Sequence, residues 1–221
     1  MEKSDEQQRG RFIVFEGIDG SGKSTQIQMI SKRIQALNLK VYTTFEPTAG
    51  PIGSLIRQML SGKIKTDQRT LALLFAADRM DHLINDENGI RRKIDTGELV
   101  ICDRYYFSSY AYHAQYMDME WVIDANSLNA GILRPDLTVF IDADPEKCFE
   151  RIKNNRSEFE MYEKIDIMKN VRINYLKAFE HLKNYERIAV IDGNDSMAHV
   201  GDAIFYEVMK TINLASEKAD F

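Results

Sequence analysis

The chain has 221 residues, 44% of them apolar and 29% charged, and its formal net charge is −5. That length suits one α/β domain with a real core, and the acidic balance offers no overall positive field to a nucleic-acid backbone, so no nucleic-acid partner is expected. The opening MEKSDEQQRG has no apolar signal core, the run LALLFAA at 71–77 is too short to cross a bilayer, and Cys102 and Cys148 lack metal-ligand spacing; a soluble, cytoplasmic protein away from membranes is expected.

Residues 1–10 read as a disordered tail. RFIVFE at 11–16 is a β-rich run that ends at glycine, and Ile27, Ile30, Ile34 and Leu37 recur at helical spacing over 23–37. KVYTTF at 40–45 predicts a second strand, followed by a helix over 51–60 that starts on a proline and another over 67–86. ELVICD at 98–103, TVFID at 138–142 and RIAVID at 187–192 predict three more strands. Helices are expected over 106–116, 119–130, 145–154, 160–184 and 196–214, with a C-terminal tail at 215–221. Short apolar strands separated by helices imply parallel pairing with both faces buried. The expected architecture is a doubly wound α/β sheet of five parallel strands in a single domain, 11–214. Trp121, in the Met-rich stretch MDMEWV, reads as packing or interface.

Gly17-Ile18-Asp19-Gly20-Ser21-Gly22-Lys23-Ser24 fits the phosphate-binding pattern G-x-x-x-x-G-K-[ST], with a strand before it and an amphipathic helix after it. Glycines let the backbone turn so that its N–H groups face phosphate oxygens, and the helix start adds its positive dipole end. Gly17 to Thr25 are therefore candidates for nucleotide phosphates, with Lys23 on the β- and γ-phosphates and the Ser24 hydroxyl on Mg²⁺. Such a loop serves switches, motors, transporters and kinases alike. LVICDRY at 99–105 carries Asp103 to the carboxyl edge of the sheet, where a carboxylate suits Mg²⁺ or its water shell. The fork of the adjacent Arg104 suits phosphate.

FEGIDGSGKST, EPTAGPIGSLIR at 46–57, FAADR at 75–79, DRYYFSSYAY at 103–112 and RPDLTVFIDADPE at 134–146 occur in an order that resembles the thymidylate kinases, over roughly residues 11–195. The resemblance implies a P-loop nucleoside-monophosphate-kinase-like fold and transfer of the γ-phosphoryl group of ATP to dTMP with Mg²⁺. It implies that Asp19 lies near the acceptor sugar and phosphate, that Glu46 adjoins the acceptor, and that Arg57 and Arg104 grip the acceptor phosphate. It also implies that Phe75 stacks on the base and Arg79 donates to thymine O4. Ser108, Ser109 and Tyr112 would line base and sugar, with Ser109 at N3 and Tyr112 against a ribose 2′-hydroxyl. A homodimer is likewise implied.

One branch of that family carries a catalytic arginine in the phosphate loop, where this chain has Gly20; the chain resembles the branch whose lid supplies the arginine. The basic segment near 151–160 holds Arg156, the first candidate, and Arg151, the second, with Lys153 between them. Thr48-Ala49-Gly50 and His113 depart from the Gly-Gly and the glutamine common in bacterial members. The competing expectations are another small-molecule kinase on the same fold, or a nucleotide-gated switch or ATPase.

Overall fold

Each β-rich run forms a strand, and helices separate each strand from the next, which is the connection that parallel pairing requires. The computed structural model describes residues 9–153 and 158–216, with side chains over 9–153 and 164–212. In chain order the elements are β1 (Phe12–Glu16), α1 (Lys23–Gln35), β2 (Val41–Phe45), α2 (Pro51–Leu60), α3 (Gln68–Ile84), α4 (Ile90–Asp95), β3 (Leu99–Asp103), α5 (Tyr106–His113), α6 (Met119–Ala125), α7 (Ser127–Ile132), β4 (Leu137–Asp142), α8 (Pro145–Ile152), α9 (Glu158–Leu182), β5 (Ile188–Asp192) and α10 (Met197–Ser216).

The strands make one five-stranded sheet, order β2-β3-β1-β4-β5, parallel throughout. β1 is central: Phe15 pairs with Asp103 on one side and with Val139 on the other. Side chains alternate along it. Phe12 and Val14 join Val100, Cys102 and Phe140 under α5 and α9, and Ile13 and Phe15 join Ile101, Val139 and Ile141 under α1 and α10. Each such aliphatic or aromatic side chain contributes about 1.5–3 kcal/mol when fully buried. Because the strands are parallel, all their carboxyl ends lie on one edge, and there the phosphate loop, Glu46 and Asp103 converge.

The sequence reading differs in detail. α1 stops at Gln35, so Leu37 lies outside it and is 50% exposed. The single helix expected over 119–130 breaks at Asn126, and α4 was not anticipated. The chain joins the fold before the expected boundary at 11: Gly10 is buried and donates its N–H to the Ile94 carbonyl at 2.8 Å. Both cysteines are buried and free. No helix among the described residues is long and apolar enough to cross a membrane.

Candidate active site

The loop between β1 and α1 needs its glycines. Gly20 has φ +78° and Gly22 φ +95°, left-handed values that a side chain disfavours. A Cβ on Gly20 would also stand 2.5 Å from the Cys148 carbonyl oxygen of α8. Gly22 caps α1 without a side-chain acceptor, so the first turn keeps its N–H groups for another partner. The Lys23 ammonium is buried and donates to the Gly17 and Ile18 carbonyls at 2.9 and 3.0 Å. Burial, with the charge of Arg104, lowers its pKa to about 8 against the pull of Asp103, Asp19 and Glu16. Ser24 Oγ donates to Asp103 Oδ2 at 3.0 Å, while Asp103 Oδ1 is buried with no hydrogen-bond partner among the described residues. A hydroxyl beside a carboxylate with a spare buried oxygen is a hard-donor pair suited to Mg²⁺. Ser21 is buried, and Thr25 is exposed on the wall of the same cleft.

Arg104 follows β3 with φ +73°, a conformation that costs a non-glycine residue about 1–3 kcal/mol and is held only where the surroundings over-determine it. Here they do. Its N–H donates to the Phe15 carbonyl at 2.9 Å. Nη2 donates to Asp19 Oδ1 at 2.6 Å and to the Tyr112 hydroxyl at 3.2 Å, and Nη1 to Ser108 Oγ at 3.0 Å and the Tyr175 hydroxyl at 3.3 Å. Burial works to raise the Asp19 carboxyl, but the charges of Arg104, Lys23 and Lys164 outweigh it and hold that group below the usual carboxylate range.

A second cavity, of about 440 Å³, opens beside α3 and α5. Phe75, Arg79, Ser108, Ser109 and Tyr112 line it, together with His113. Arg79 is 1% exposed and donates through Nε to Glu46 Oε2 at 2.9 Å, and through Nη1 to Ser109 Oγ and Asn126 Oδ1. His82 Nδ1 meets the other Glu46 oxygen at 3.1 Å. Glu46 thus fixes Arg79 against the cavity wall. The His113 ring stands edge-on to Phe75 at 5.3 Å, and burial together with the Arg79 charge lowers its pKa to about 4, so the imidazole is neutral. Thr48 is tied by its N–H and its hydroxyl to Asp78, both at 2.7 Å. Arg57 lies apart from these groups. It is exposed, donates to the Pro47 and Thr48 carbonyls and to Ser54 Oγ, and is absent from the walls of both cavities.

Of the lid candidates, Arg151 closes on the phosphate loop, donating to the Gly20 carbonyl at 3.0 Å. Lys153 pairs with Glu150 at the surface. Arg156 lies outside the described residues. Asp19, Glu46 and Arg104 line both the phosphate-loop cleft, about 830 Å³, and the α3–α5 cavity, so the two are contiguous.

The sequence model of the family described as thymidylate kinase matches residues 15–204. The chain belongs to the thymidylate kinase family. It is similar to three proteins each described as a probable thymidylate kinase. The one from Methanocaldococcus jannaschii is 41% identical over 172 residues, covering 76% of this chain and 81% of that protein. The one from Thermococcus onnurineus is 41% identical over 179 residues, covering 76% and 84%. The one from Methanococcus maripaludis is 36% identical over 208 residues, covering 91% and 96%. The chain is thus an ATP-dependent nucleoside monophosphate kinase acting on dTMP.

Sequence reasoning missed several groups that complete this kinase's site. Glu16, Asn126, Tyr175, His82 and Lys164 each touch or electrostatically face a residue it did select. Glu16 had a signal: a charged residue closing an otherwise apolar, fully buried strand requires an explanation. Tyr175 had none, since it reaches Arg104 only because α9 packs on α5.

Proposed function

We propose that the phosphate-loop cleft holds ATP and the α3–α5 cavity holds dTMP, with the γ-phosphoryl group passing in line between them to give dTDP and ADP. The observation that carries this reading is the shared wall: Asp19, Glu46 and Arg104 belong to both spaces, so donor and acceptor meet there. Lys23 and the loop N–H groups hold the β- and γ-phosphates, and Arg104 aligns the acceptor phosphate. A phosphate monoester is already anionic, so positioning and charge stabilisation suffice without a strong base.

Phe75 stacks on the base, Arg79 and Ser109 face its polar edge, and Tyr112 abuts the sugar. The wall they form supports that assignment. Arg57 serves the acceptor phosphate through Nε and Nη2, since its bonds to the Pro47 and Thr48 carbonyls are made by Nη1 alone. Ser24 and Asp103 would hold Mg²⁺, a reading supported by Asp103 Oδ1, which has no hydrogen-bond partner among the described residues. The ion, when bound, would supply charge neutralisation on the phosphates. The lid over about 151–160 supplies the transition-state arginine, Arg156 first and Arg151 second. The crowding at Gly20 supports that source, because a loop side chain there collides with α8. The protein works as a cytoplasmic homodimer.

The test is ADP release from Mg·ATP on adding dTMP, dUMP, dCMP, dGMP, AMP or thymidine singly. Release driven chiefly by dTMP, with dTDP formed, is the expected result. Preference for another monophosphate would overturn the roles of Phe75, Arg79 and Ser109, and release indifferent to all acceptors would overturn the kinase reading.

A further inference from the structure

Glu16 is the last residue of β1, fully buried, directly before the phosphate loop. Its two oxygens accept four hydrogen bonds. Oε1 takes the backbone N–H groups of Tyr105 at 2.9 Å and Ser108 at 3.2 Å, and Oε2 takes the hydroxyls of Ser108 at 2.6 Å and Tyr175 at 2.8 Å. A carboxylate offers about four lone-pair sites, so the protein alone fills them. Two of these donors belong to the start of α5, whose N-cap, Tyr105, supplies no side-chain acceptor. Glu16 therefore caps α5 from another element.

The same two hydroxyls receive Arg104 Nη1. A guanidinium only donates, and each hydroxyl has one proton. Ser108 Oγ and the Tyr175 hydroxyl are also 2.8 Å apart. Whether both protons go straight to Oε2 or one passes through the other hydroxyl, the chain of donors ends on Glu16, leaving lone pairs for Arg104.

We propose that Glu16 is a positioning residue for phosphoryl transfer: it fixes the proton direction of Ser108 and Tyr175 and thereby holds Arg104, beside the strained turn, in the pose that meets the acceptor phosphate. This rests on the reading of Arg104 given above. Glutamine cannot replace it. An amide has one acceptor oxygen and one donor nitrogen, so in either orientation two donors meet a donor. Either the α5 N–H groups lose their cap, or the hydroxyls reverse and point at Arg104.

The experiment compares wild type, Glu16→Gln and Tyr175→Phe by calorimetric binding of dTMP and of thymidine, and by steady-state KM for dTMP and for ATP. The expected result is affinity for dTMP weakened by about tenfold or more in Glu16→Gln, and in the same direction but less in Tyr175→Phe, with thymidine binding and KM for ATP within about twofold. A residue that merely stabilises the fold would lower the melting temperature without separating dTMP from thymidine. Equal losses for both ligands, or dTMP binding unchanged, would overturn the inference. Tyr175→Phe decides the matter if Glu16→Gln does not fold. Wild type that makes no ADP in response to dTMP would instead sink the functional reading, which keeps the two failures apart.

Discussion

Arg79 and Glu46 form an ion pair at 2.8 Å in which neither side chain is more than 2% exposed. A buried pair of this kind gains little over an apolar replacement, but removing one partner strands the other charge. Glu46→Ala leaves a fully buried guanidinium with Ser109 and Asn126 as its neutral partners. The variant should lose about 3–5 kcal/mol of stability, read from urea denaturation midpoints at unchanged slope. A loss under about 1 kcal/mol would mean that Arg79 reaches water in solution.

Lys23 gives a pH signature. With its pKa lowered to about 8, chiefly by burial, the ammonium is charged below that pH and neutral above it. A neutral amine cannot hold the γ-phosphate, so kcat/KM for ATP should fall as pH rises through about 8, because that parameter reports the free enzyme. Bound phosphates favour the charged form, so kcat should hold to higher pH. A flat kcat/KM profile for ATP from pH 7 to about 9.5 would contradict the assignment.

Asp103 should govern metal dependence. Asp103→Asn keeps the size and the contact to Ser24 but removes the charge. Activity at saturating ATP should then require about tenfold more Mg²⁺, with KM for dTMP little changed. An unaltered Mg²⁺ titration would assign the ion to other ligands.

Gly20→Ala should damage the phosphate loop from two directions, its left-handed backbone and the Cys148 carbonyl 2.5 Å from the new Cβ. A stability loss above about 1 kcal/mol together with a raised KM for ATP is expected from thermal melts and kinetics.

For the lid, Arg156→Ala should lower kcat by a factor on the order of 10³ while KM for dTMP stays near wild type. A kcat within about threefold of wild type would pass the role to Arg151, whose guanidinium already reaches the loop at Gly20.

What the sequence displayed and what it hid have different physical origins. The inner strands β1, β3 and β4 were legible because a strand buried on both faces is a short apolar run, and the phosphate loop because its glycines are backbone requirements written locally. Phe75, Arg79 and Ser109 came only through family resemblance, since LALLFAA reads as core by periodicity; the structure puts all three on one cavity wall. The break at Asn126 was hidden because it serves a partner distant in sequence: it turns an amide oxygen toward Arg79. Arg57 stands apart from both cavity walls for a related reason. An arginine on an amphipathic helix can satisfy its fork on nearby carbonyls, and here it takes those of Pro47 and Thr48.

The central place of β1 also dictates when this enzyme can first become competent. β1 is made first, yet its pairing partners are β3 and β4, and both flanks exist only once the chain has been synthesised through Asp142. Until then β1 lacks its β4 flank, and even afterwards Glu16 can receive Tyr105 but not Tyr175, which waits for α9. Non-local pairing of this kind makes folding slow and holds apolar edges open during translation. A truncated chain ending before β4 would therefore be a client for chaperones rather than a weak nucleotide binder, and the site is assembled late and as a whole.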